Sequence, residues 1–156
     1  SSNVFIITHE KVDVTRPISF GLNAMFPVIQ KELDLKDEES AKKLFYSDTF
    51  DFTEMGPALL NKMLKELQSS SGFYEVQTGQ IIGQIFLTLL PKNLNWIYQT
   101  LSRSLGVEIL QLDYPGWLKS LDISVNEDVQ LESLDGRWLS LFSLMSNYSN
   151  SEAGAN

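Results

Sequence analysis

The absence of cysteine from this 156-residue chain excludes disulfides, thiolate metal sites and cysteine nucleophiles, and the length is one that a single domain fills. An apolar share of 43% beside 21% charged residues is that of a folded protein, not a disordered one. Twenty acidic against twelve basic residues leave a net charge of −8, which repels nucleic-acid phosphates and anionic lipid and favours a basic protein partner.

In chain order, the β-branched and aromatic residues over 4–8 predict a strand, followed by a polar connection over 9–17 that contains Pro17. A helix is expected over 22–33, kinked or interrupted at Pro27. The next is expected to start at Asp37, Glu38 and Glu39 and to end near Lys42 and Lys43, matching the helix dipole, with Leu44 and Phe45 to bury. Pro57 opens a third over 57–68, where Leu59, Leu60, Met63, Leu64 and Leu67 recur at spacings of three and four until a serine run and Gly72 end it.

Residues 80–90 are apolar on most sides and read as a central helix, with a buried strand as the alternative. Interrupted by Gly83, Gln84 and Thr88, that run is about half of the roughly 20 residues a membrane span needs. Asn93 suits the cap of a helix over 93–105 with Leu94, Ile97, Tyr98, Leu101 and Leu105 on one face and Gly106 just past its end. Residues 107–112 alternate as a strand expected to pair with 4–8, and Tyr114, Pro115 and Gly116 turn the chain into a short segment carrying Trp117. In a last helix, Leu134, Trp138, Leu141, Phe142, Met145 and Tyr148 share one face. The sum is a mainly α domain with a small β-sheet, of the α+β class, spanning 1–148 with a frayed tail over 149–156.

Catalytic and cofactor motifs fail one after another. His9 is the only histidine, so any Ser-His-Asp triad runs through it, and the start of a metalloprotease H-E-x-x-H at His9 meets Asp13 where the second histidine belongs. Asp122, Ser124, Asn126 and Asp128 have the spacing of the first calcium ligands of an EF-hand, but Glu127 replaces the turn glycine and Ser133 the closing glutamate, which points to a solvated loop. No phosphate-binding glycine loop occurs, so neither a cofactor nor a metal is expected. A carboxylate pair of the glycosidase kind is defined by separation in space, and twenty acids leave a carboxylate-dependent enzyme, or a regulatory subunit of one, as the alternative function.

The negative charge is concentrated. Residues 32–54 carry a net −5 and residues 108–135 a net −6, while the remainder is slightly basic. Candidate partner-binding residues are therefore Asp48, Asp51 and Glu54 in the first segment and Asp122, Glu127, Asp128 and Glu132 in the second. Tyr114 and Trp117, beside Asp113, offer an aromatic anchor of the kind binding hot spots favour.

In overall character, small, acidic, single-domain and without a catalytic signature, the chain resembles the bacterial immunity proteins that neutralise toxins, including those of contact-dependent growth inhibition. The resemblance is one of type, with no shared residue string. It implies a cytoplasmic protein whose partner is a cationic toxin domain, often a nuclease, with acidic side chains where phosphates otherwise bind. The chain begins on Ser1, consistent with a cytosolic protein or with one whose leader has been removed. A charge mimic of nucleic acid is a third reading of the same acidity.

Overall fold

The computed structural model describes residues 2–9, 11–88, 90, 92–126, 134 and 136–153. Strand β1 (Ser2–Thr8) turns through His9, whose φ of 48° lies in the left-handed region that tight hairpin turns require, into β2 (Lys11–Ile18). The two pair antiparallel, with Val4 and Ile6 of β1 and Val14, Arg16 and Ile18 of β2 turned toward the protein. The stretch expected as a polar connection is thus a strand. Pro17 misled the reading, but in a two-stranded sheet every strand is an edge, where proline is tolerated. The register shifts between Ile6, opposite Val14, and Ile7, opposite Val12, leaving Asp13 as the extra residue of a β-bulge.

A 3-10 turn (Leu22–Met25) leads into α1 (Phe26–Glu32), and Pro27 sits in its first turn, where a missing N–H costs nothing, so it starts the helix instead of kinking it. In α2 (Glu38–Tyr46) the Asp37 side chain caps the start by accepting from the Ser40 N–H at 2.8 Å. The expected helix over 57–68 is two pieces, α3 (Gly56–Leu59) and α4 (Asn61–Thr78), broken at Leu60. Gly72 does not end α4, because nothing there demands a left-handed residue; Gly79, at φ 71°, does.

Residues 80–88 form neither a helix nor a long buried strand. Past the Gly79 cap the chain is extended, with Ile81 almost fully exposed, and only β3 (Gln84–Ile85) pairs, in parallel, with β4 (Glu108–Ile109). The second sheet therefore joins 84–85 to 108–109, and the pairing of 4–8 with 107–112 does not occur. Helix α5 (Asn95–Leu105) follows a 3-10 turn and ends at Gly106, φ 68°, as the spacing predicts. The segment after Asp113 is a helix, α6 (Tyr114–Ser120), and the last helix, α7 (Leu139–Ala153), runs on past 148.

The core gathers Ile18, Phe26, Ile29, Phe45, Phe52, Leu59, Leu60, Leu64, Trp96, Ile97 and Leu101 from the hairpin and α1 to α5. A second, smaller cluster of Leu118, Leu134 and Phe142 is completed by Tyr114, Trp117, Ile123 and Val125. Together these elements form one compact, mainly helical α+β domain. The α7 face expected to be buried is engaged chiefly at Phe142; Trp138, Leu141 and Met145 remain 42%, 46% and 45% exposed. No helix among the described residues is long and apolar enough to cross a membrane.

Candidate functional site

The chain between α2 and α3 places three of the expected acids together. Its ordering is local: the Ser47 hydroxyl donates to the Leu44 carbonyl at 2.8 Å and lies 2.6 Å from the Thr49 hydroxyl, and Asp51 Oδ1 accepts from both the Thr53 N–H at 2.9 Å and the Thr53 hydroxyl at 2.6 Å. These are the short-range side-chain bonds by which Ser, Thr and Asp organise turns. Asp48 adopts a left-handed φ of 57°, which its short polar side chain tolerates. The hydrogen bonds from the Thr53 hydroxyl, and then from its backbone, hold the Asp51 carboxyl below the ordinary aspartate range, so it stays charged in mild acid.

Phenylalanines anchor this loop. Phe52 is 2% exposed and packs against Trp96 and Phe45, with ring centroids 5.9 and 5.6 Å away. Phe50, two residues earlier, lies 4.8 Å from Phe52 yet is 37% exposed, and Tyr46 at the end of α2 is 47% exposed while packing edge-on against Phe45. Asp48, Asp51 and Glu54 are exposed beside them. Exposed aromatic residues on a segment tied to the core by Phe52, with exposed carboxylates on the same segment, are residue types that suit a cationic side chain: the aromatic face attracts the cation and the carboxylates neutralise it. Sequence reasoning named the three acids and missed Phe50 and Tyr46, although the alternation of aromatic and acidic residues over 46–54 was legible there.

The second acidic segment is arranged differently. Asp113 caps α6, accepting from the Gly116 N–H at 3.2 Å. Tyr114 and Trp117 are partly buried against the smaller cluster, Trp117 lying 6.3 Å from Phe142. Asp122 is exposed at φ 54°. Glu127, Asp128 and Glu132, with most of the EF-hand-like loop over 122–133, lie outside the described residues. Among the described residues, no hydrogen bond or ring contact joins the 47–55 loop to α6, and no three potential metal-ligating side chains form a group.

His9 stands exposed at the hairpin turn. Asp13, where a metalloprotease would have histidine, instead accepts from the Tyr74 hydroxyl at 2.8 Å, and the Thr8 hydroxyl and Gln80 side-chain amide lie 2.8 and 3.0 Å from the same oxygen. The bulge that frees Asp13 from the ladder thus ties the hairpin to α4. Shallow clefts among the described residues include one of about 320 Å³ lined by Asn23, Phe26, Glu38, Glu39 and Lys42 and one of about 270 Å³ beside Leu118, Asp122 and Ile123. Comparison with protein-family models, curated proteins and solved structures found no match.

Proposed function

We propose that the chain is a binding protein that neutralises a cationic protein, in the manner of an immunity protein against a toxin domain, with a nuclease as the partner class its charge suits best. The observation that carries this reading is the loop over 46–54, where the exposed acids Asp48, Asp51 and Glu54 alternate along the chain with the exposed Tyr46 and Phe50 on a segment ordered by its own hydrogen bonds. A preordered loop loses little entropy on binding, aromatic residues supply hot-spot area, and carboxylates steer a basic partner to it. A cytoplasmic location accords with the cysteine-free sequence.

The test converts Asp48, Asp51 and Glu54 together to lysine. Circular dichroism checks folding, and association with the protein encoded by the adjacent gene is followed across a salt series. The reading requires association to slow by roughly tenfold or more at low salt, with the salt dependence of the wild type largely removed. Equal rates for the two proteins, or a wild-type rate indifferent to salt, overturn it.

A further inference from the structure

We infer that the open edge of β1 is the contact through which two copies of this chain pair, strand against strand and antiparallel, with Phe5 of one copy opposite Phe5 of the other. Among the described residues β1 pairs with β2 alone, and residues 3–8 make no backbone hydrogen bond outside that ladder. The register shows which backbone groups are left over. Asn3 stands opposite Pro17, which has no N–H, so these two form a pair without mutual hydrogen bonds. Such pairs alternate with bonded ones along an antiparallel ladder. Val4 and Ile6 therefore bond to β2, while Asn3, Phe5 and Ile7 turn their N–H and carbonyl groups to the open side.

A row of backbone donors and acceptors at this spacing is matched by another extended strand, and the two edges of the hairpin differ in how far they admit one. β2 carries Lys11, Asp13, Arg16 and Pro17 together with the bulge at Asp13, the features that blunt an edge. β1 has no charge and no proline, and its Phe5 and Ile7 are 56% and 63% exposed. The sequence of β1 suits a second copy. Antiparallel pairing about Phe5 sets Ser2 against Thr8 and Val4 against Ile6, with Phe5 against itself and Asn3 opposite Ile7 as the one mixed pair. Hydroxyls thus meet at the ends and β-branched and aromatic side chains at the centre, the combinations that stabilise neighbouring strands. A two-fold contact uses the same edge twice, and in a chain of net −8 the uncharged β1 brings two copies together without like charges at the contact. Seven residues from each copy cover less than the roughly 800 Å² per partner of a standard interface, so the dimer is weak and depends on concentration. Once it has formed, both outer edges of the four-stranded sheet are β2, so assembly stops at two.

The experiment is sedimentation of the full chain from micromolar to near-millimolar concentration, with each variant checked by circular dichroism as a dilute monomer. The wild type is expected to pass from monomer to dimer and no further. Phe5→Lys and Phe5→Glu, made separately at this exposed position, each set like charges directly opposite one another across the two-fold axis and should raise the dissociation constant by roughly tenfold or more. An equimolar mixture of the two variants should pair again, as a heterodimer that salt weakens. Phe5→Pro removes an outward N–H that β2 does not use, and should also weaken pairing. Val12→Lys, on the exposed face of β2, should leave pairing intact. A wild type that stays monomeric, growth past the dimer, Lys and Glu variants that each pair as the wild type does, or a mixture that fails to pair overturns the inference. Loss of pairing in Val12→Lys overturns it as well, because it would place the contact on the outer face of the hairpin instead of its edge.

Discussion

Gly56 and Thr100 meet where α3 crosses α5 with no space for a side chain between them: a methyl group on Gly56 would stand 2.2 Å from Thr100 Oγ1 and 3.0 Å from its Cγ2. Thr100 is buried, and its hydroxyl donates to the Trp96 carbonyl at 2.9 Å, so it has little freedom to yield. Gly56→Ala should therefore cost about 2 to 3 kcal/mol in urea unfolding. Because the obstacle is the Thr100 side chain, the same change in a Thr100→Ala background should cost about 1 kcal/mol less. Strictly additive losses would show that the two residues do not limit each other.

Phe50 and Phe52 lie two residues apart with opposite roles. Phe52→Ala empties a site closed by Phe45 and Trp96 and should cost about 3 to 5 kcal/mol. Phe50→Ala should cost less than about 1 kcal/mol of stability yet speed dissociation of the proposed cationic partner, as loss of an exposed aromatic contact does. Equal stability losses for the two would place Phe50 in the core.

The indole Nε1 of Trp96 is buried without a hydrogen-bond partner among the described residues. Removing an unsatisfied donor recovers its desolvation penalty, which offsets part of the packing lost with the smaller ring. Trp96→Phe is thus expected to cost less than about 1.5 kcal/mol, against about 2 to 5 for Leu101→Ala in the same core. Thermal melts of the two variants side by side check this, and a Trp96→Phe loss matching that of Leu101→Ala would reveal a hidden acceptor.

Two polar links hold the hairpin on α4, and they should differ in strength. Arg16 reaches Glu66 at 2.9 Å and Ser70 at 3.0 Å, but the ion pair is about two-fifths exposed, so Glu66→Gln should cost well under about 1 kcal/mol. Tyr74 is 5% exposed, and its hydroxyl meets Thr8, Asp13 and Gln80, so Tyr74→Phe should cost about 1 to 2 kcal/mol. Hydrogen exchange in β1 and β2 should rise in the second variant more than in the first.

Asp37 ties the start of α2 to acid. Its carboxyl is held below the ordinary aspartate value of 3.8, first by the Ser40 hydroxyl and then by the Ser40 N–H. A depressed folded-state pKa contributes stability that is whole above the unfolded value and is lost as pH falls through the folded one. The melting-temperature advantage of the wild type over Asp37→Ala should hold at neutral pH and narrow progressively below about pH 4. An advantage that is independent of pH would show that the carboxylate charge contributes nothing to the cap.

What the sequence determined by itself is whatever is decided within a few residues. The Asp37 cap, the Gly106 stop of α5, the acidic run around Asp51 and the absence of cysteine chemistry act locally and needed no tertiary partner to be read. The tertiary structure decided what depends on coverage by distant chain. It made the residues around Val12 and Pro17 a strand by supplying β1 opposite them, left Ile81 in solvent, and carried α4 past Gly72 while Leu64, Ser70 and Tyr74 found burial along it. It also turned Phe52 inward and Phe50 outward, and left the apolar stripe of α7 uncovered. Periodicity states which side chains share a face, but whether that face is buried depends on whether another element packs against it.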